Sequence, residues 1–86
     1  MSRHKSGIVK EIKDKDLKES LITLCENIKR FREESGISQQ DLADYSELGK
    51  STISEIEQMR VVNVSLKTLV MISRGLEKPL TALLIK

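Results

Sequence analysis

Residues 37–60 read ISQQDLADYSELGKSTISEIEQMR, and the way this stretch divides decides the fold. The hydroxyl of Ser38 can cap the free amides of a first helical turn while Asp41 reaches back, the spacing of a capping box. That predicts a short helix over about Gln39–Ser46, with Leu42 and Ala43 facing inward. A second short helix follows Gly49 and runs from Lys50 to about Met59. In it Ile53 and Ile56 fall three apart and define one buried stripe, with Glu57 beside them. Lys50, Ser51, Ser54, Glu55 and Gln58 fall together on the opposite side. The outcome is a rod anchored by isoleucines that offers small hydrophilic side chains outward, an arrangement suited to reading base edges in a DNA groove.

Upstream of this pair, Leu17, Leu21, Leu24, Ile28 and Phe31 recur at alternating steps of four and three, with Ile22 and Cys25 widening the stripe. The spacing predicts one long helix over about Asp16–Glu34 that buries a continuous seam. Ser35-Gly36 ends it, with Gly36 free to take the left-handed conformation. Downstream, residues 60–64 read as a loop and Ser65 as the cap of a fourth helix over about Leu66–Gly75. Leu66, Leu69, Val70, Ile72 and Leu76 are expected to pack inward. Pro79 fits the first turn of a fifth helix, where its missing amide is harmless. Leu80, Leu83, Leu84 and Ile85 make that helix too apolar for a free end. It is expected to cover the core and to offer Leu80, Leu83 and Leu84 as a dimer contact.

The 86 residues, 38% of them apolar, with one proline, four glycines and no tryptophan, suffice for one modest core. No alternation of period two persists long enough for a sheet, so the fold class is all-α. The expected division is a flexible basic arm over residues 1–16 and a compact helical domain over residues 17–86. The arm has two readings: a solvated tail, or a basic strand whose Arg3, His4, Lys5 and Lys10 follow phosphates or enter a minor groove. With no long apolar run and no apolar core in the first fifteen residues, the chain is expected to be soluble and cytoplasmic, with no membrane partner.

Formal charge is only +2, and it is unevenly spread. Residues 1–18 carry six Lys or Arg against three acids, which leaves nine basic and ten acidic groups in residues 19–86. Affinity for nucleic acid must therefore come from local placement of Lys29, Lys50, Arg60 and the arm, not from bulk charge.

Arg32, Ser38, Gln39, Leu42 with Ala43, Lys50 with Ser51 and Thr52, then Ile53, Ile56 and Glu57 stand in an order and at spacings that resemble the helix-turn-helix family of the lambda repressor and Cro, often called the XRE family. The likeness continues through Leu66, Leu69, Ile72 and Leu76 to Leu80, so it covers roughly residues 20–84. It implies a compact five-helix bundle of the lambda-repressor-like type. The family's first helix usually begins near Leu24, so the turns carrying Leu17 and Leu21 are an extension. They either cover the bundle's own core or pack on a second subunit.

The resemblance also implies roles. Arg32 and Glu57 are expected to form an ion pair tying the first helix to the third. Gln39 is expected on a phosphate and on a neighbouring reading residue. Lys50, Ser51, Ser54 and Glu55 take the positions of base and phosphate contacts: Lys50 can donate to guanine, the serines pair either way, and Glu55 can accept from a cytosine amine. Thr52 buttresses the turn or touches phosphate, and Gln58 and Arg60 clamp the backbone. Two positions depart from the family, which usually has glycine where Glu47 and Met59 stand; a left-handed Glu47 costs about 1 kcal/mol.

The implied function is that of a sequence-specific transcriptional regulator, a repressor that binds double-stranded DNA at a near-palindromic operator as a homodimer. The alternative is an antitoxin-like interaction module whose main partner is another protein, such as a toxin. Cys25 is the lone cysteine and lies on the apolar side of its helix, and His4 has no evident partner. No paired carboxylates with a histidine, no phosphate-cradling glycine loop and no nucleophile triad is present, so neither enzyme activity, metal nor cofactor is expected.

Overall fold

The computed structural model describes residues 8–86, and Arg3, His4 and Lys5 of the expected arm lie outside them. The described chain forms a short 3-10 turn at Val9–Glu11 and then five α-helices: α1 Lys15–Glu34, α2 Gln39–Ser46, α3 Lys50–Glu57, α4 Leu66–Leu76 and α5 Leu80–Leu84. The all-α five-helix expectation is met. The capping box forms as written, with the Asp41 amide donating to the Ser38 hydroxyl and the Ser38 amide to the Asp41 carboxylate. The helices close on one core in which Ile28, Leu42, Ile53, Ile72 and Leu83 are fully buried. Leu42, Ile53 and Ile56 bring α2 and α3 onto α1 and α4, so the helix pair is fixed from behind.

Four expectations need correction. Residues 8–16 do not belong to a free arm: Val9 is 1% exposed, and its amide donates to the Met59 carbonyl at 2.9 Å. Buried Val9, with Ile12 packed against the core beside it and one backbone bond, docks a stretch that is otherwise charged. The third helix stops at Glu57, two residues short of Met59, because Met59 takes the left-handed conformation with φ 59°. The Arg60 amide then closes back on the Glu55 carbonyl at 2.8 Å, the bond of a Schellman ending. Leu66, expected inward, is 65% exposed in the first turn of α4. Leu83, expected at a dimer contact, is 0% exposed and belongs to the core. Within so short a helix as α5, sequence alone does not separate the inner leucine from its neighbours.

The fourth helix, expected to about Gly75, ends at Leu76 and turns at Glu77, whose φ is 57°. The glycine serves the crossing of α4 over α2. A Cβ there would stand 2.3 Å from the Ser46 hydroxyl and 3.2 Å from the Ser46 amide nitrogen. That hydroxyl is buried without a hydrogen-bond partner. At the other side of the bundle, buried Asn27 of α1 donates to the carbonyls of Leu83 at 3.0 Å and Ile85 at 2.7 Å, satisfying backbone that α5 leaves open. Cys25 is buried, and burial foremost, then Glu26, pushes its thiol up to about 11, away from the reactive thiolate. No helix among the described residues is long and apolar enough to cross a membrane.

Gly75→Ala is expected to destabilise the fold by about 1 to 3 kcal/mol through overpacking. Ser46→Ala, which removes a hydroxyl with no partner, is expected to be neutral or stabilising and to recover part of that loss in the double variant. Thermal melts of the three variants check this, and an unchanged Gly75→Ala melt would remove the close crossing from the account.

Candidate nucleic-acid interface

The candidate face is built on α3, and what holds α3 is a carboxylate. Glu57, in its last turn, has a side chain only 3% exposed and accepts three hydrogen bonds. Arg32 of α1 donates from Nε at 2.6 Å and from Nη2 at 3.1 Å, and Gln39 of α2 donates from Nε2 at 3.0 Å. The third Arg32 nitrogen, Nη1, donates to the Ile37 carbonyl at 2.7 Å, just ahead of α2. One buried carboxylate thus ties the end of α1, the start of α2 and the end of α3 together. The hydrogen bond to Glu57 holds the Arg32 guanidinium even more firmly protonated than usual, against the opposing effect of its burial. A fork-to-fork pair of this kind fixes orientation as well as distance.

With its inner side held, α3 turns the rest outward. Lys50, Ser51, Glu55 and Gln58 are exposed, while Thr52 and Ser54 are half-buried. Gln58 donates from Nε2 to the Ser54 hydroxyl at 2.6 Å, so these two side chains hold one another along the exposed edge. Gly49 precedes the helix and supplies no side-chain cap, which leaves its first amides free for solvent or an anion. Arg60 is exposed in the loop that follows. The structure therefore brings Lys50, Ser51, Ser54, Glu55, Gln58 and Arg60 together along one side of the molecule.

Gln39 stands apart from this group. It is half-buried and its amide nitrogen is spent on Glu57, so its side chain serves the internal clamp in this conformation. Glu47 ends α2 in the left-handed conformation, φ 59°, as expected from its place where the family resemblance has glycine, so the turn keeps its geometry without the glycine. One further feature lay beyond sequence reasoning. The Ile8–Ile12 strap lies against Gln58, Met59 and Arg60 and adds Lys10 and Lys18 to the surroundings of Arg60. Three apolar residues, Ile8, Val9 and Ile12, in a charged stretch are too few for a periodic signal by which this docking is foreseen.

Comparison with known proteins places this geometry. Residues 28–83 match the helix-turn-helix family, a span that contains α2, the turn, α3 and α4 whole. A solved structure similar to the chain is that of the wild-type restriction-modification controller protein C.Esp1396I, with 39% identity, 69% of this chain and 75% of that chain covered, and a TM-score of 0.66. No curated protein matches the chain.

Glu57→Ala is expected to lower stability by about 3 kcal/mol, because it strands the Arg32 guanidinium in a site that excludes most water. Chemical denaturation measures it, and a midpoint equal to that of the parent would refute the buried clamp.

Proposed function

The chain belongs to the helix-turn-helix family, of the XRE type, and is a DNA-binding regulator of transcription; from this we propose that it is a repressor that binds a near-palindromic operator as a homodimer, with α3 in the major groove. The observation that carries the reading is the two-sidedness of α3. Ile53 and Ile56 are buried on one side, and Lys50 and Ser51 stand exposed on the other. Lys50 reads guanine, Ser51 and Ser54 pair with bases or phosphates, and Glu55 accepts from a cytosine amine. Gln58 and Arg60 hold the backbone, Thr52 supports the turn, and Gln39 offers the second hydrogen of its amide nitrogen to a phosphate while the first stays on Glu57.

Eight residues of helix span only about 12 Å, enough for a few base pairs, so one copy carries too little sequence information for an operator. Two copies related by a twofold axis place two such helices about one DNA turn apart. Leu84, 49% exposed, and half-buried Leu80 are the contact on α5 that supports the pairing; Leu83 takes no part in it. Such a protein works in the cytoplasm, beside the DNA. Among small stand-alone regulators of this kind, likeness to a restriction-modification controller favours a role in controlling restriction-modification genes.

The deciding experiment is a salt series on an operator, recovered by selection from a random duplex pool, and on random DNA. Counterion release makes affinity fall steeply with salt when phosphates are neutralised, whereas a flat series would point to a protein as the main partner. Lys50→Ala is expected to weaken operator binding by about 1 to 3 kcal/mol and to relax preference at one base pair. An equal loss on random DNA would reduce Lys50 to a phosphate contact. Leu84→Asp is expected to shift dimer toward monomer in analytical ultracentrifugation, and an unchanged distribution would move the interface away from α5.

A further inference from the structure

The docked strap creates something that neither α3 nor the family pattern contains. Between the strap, the second turn of α1 and the end of α3 lies an open cleft of about 490 Å³. Val9, Ile22 and Met59 give it apolar walls, and Lys10, Lys18 and Arg60 bring three cations to it from three separate elements. Among the described residues no carboxylate lines it. Among the described residues none of the three cations is held in an ion pair, whereas Arg30 and Arg32 both are. Charges of one sign drawn together around a partly apolar cleft, without internal counterions, fit an amphipathic anion. A deoxyribose-phosphate strand answers that description, with sugar faces for the walls and phosphates for the cations.

We propose that Lys10, Lys18 and Arg60 form a second contact with the DNA backbone, on the strand that leaves the end of α3. The proposal rests on the DNA-binding reading of α3, with which the cleft is continuous: Gln58 and Arg60 belong to both. Lys10 is carried to this place by the strap. The strap is pinned where Val9 donates to the carbonyl of Met59, the residue that ends α3 in a left-handed turn. The set of α3 and the position of Lys10 are therefore mechanically linked. Contacts of this kind carry no base information. Their effect is affinity and salt dependence, shared by every sequence.

The test compares the full chain with Lys10→Ala/Lys18→Ala on the selected operator and on random duplex, over a range of salt. Losing two phosphate contacts is expected to reduce the slope of log affinity against log salt by roughly 2, while the ratio of operator to random affinity stays the same. Lys10→Arg/Lys18→Arg is expected to keep the parent slope. Lys86→Ala, which removes a cation from a different surface, is expected to keep it too, and a loss in that variant equal to the double variant's would make the effect one of bulk charge and overturn the proposal. A parent that binds steeply while the double variant keeps its slope overturns the cleft contact alone. A parent with no affinity for any duplex overturns both this contact and the α3 reading. Adenosine monophosphate is titrated as a further arm, followed by amide shifts at Val9 and Met59. Saturable binding of this free phosphate ester that leaves DNA affinity untouched would assign the cleft to a small phosphorylated ligand instead.

Discussion

The Glu57 carboxylate is the point on which the structure depends. It lies out of water at the end of α3, and it is tolerable there only because Arg32 and Gln39 spend three donors on it. A buried pair of this sort adds little net stability, since desolvation offsets most of the attraction. Its worth is geometric. The Ile53 and Ile56 side chains press α3 against the core and set which side of it faces inward, but apolar contacts are non-directional. A bidentate guanidinium and an amide from two other helices add the directional contacts. The exposed side chains of α3 then stand in fixed relation to the rest of the domain.

That rigidity explains how the chain tolerates poor local chemistry at its turns. Glu47, Met59 and Glu77 all take left-handed conformations that glycine adopts more readily, at a cost of about 1 kcal/mol each. Each ends one of the helices that frame the site, and each lies beside residues packed into the core, so tertiary contacts override the local preference. At Met59 the side chain itself packs against the core, which a glycine could not do. Its carbonyl meanwhile receives the Val9 amide. The ending of α3 thereby becomes the anchor for the N-terminal strap, and a departure from the family's usual residue coincides with a feature the family pattern does not describe.

What the sequence made legible, and what it did not, follows the same physics. Ser38 with Asp41, Ser65, the Leu17-to-Phe31 stripe and the Ile53–Ile56 stripe are local signals, and each marks a helix that forms, although α3 stops short at Glu57 and Leu17, at the start of its stripe, is 45% exposed. The Arg32–Glu57 pair was legible only through resemblance, because a contact between residues 25 apart leaves no trace in local pattern. The docking of Val9, the outward turn of Leu66 and the burial of Leu83 depend on which side of a short element meets a neighbour. The three residues around Val9 and the five of α5 do not define a periodicity that settles this, and Leu66, first residue of the eleven in α4, lies at the helix end beyond the reach of the core. The role of Gly75 was not legible for a related reason: its smallness answers to Ser46 on α2, a contact between distant residues. Of the candidate site, the exposed face of α3 was readable from spacing, whereas the inward turn of Gln39 and the arrival of Lys10 beside Arg60 were not.

The most direct measurement of the central claim is a titration of isotopically labelled protein with operator duplex, followed by backbone and side-chain shifts in nuclear magnetic resonance. If a clamped α3 presents its hydrophilic side to the groove, the largest changes fall on Lys50, Ser51, Ser54 and Glu55. Amides around Ile53, Ile56 and Glu57 then move little. Saturable changes confined to α4 and α5, with Lys50 and Ser51 undisturbed, would contradict the account.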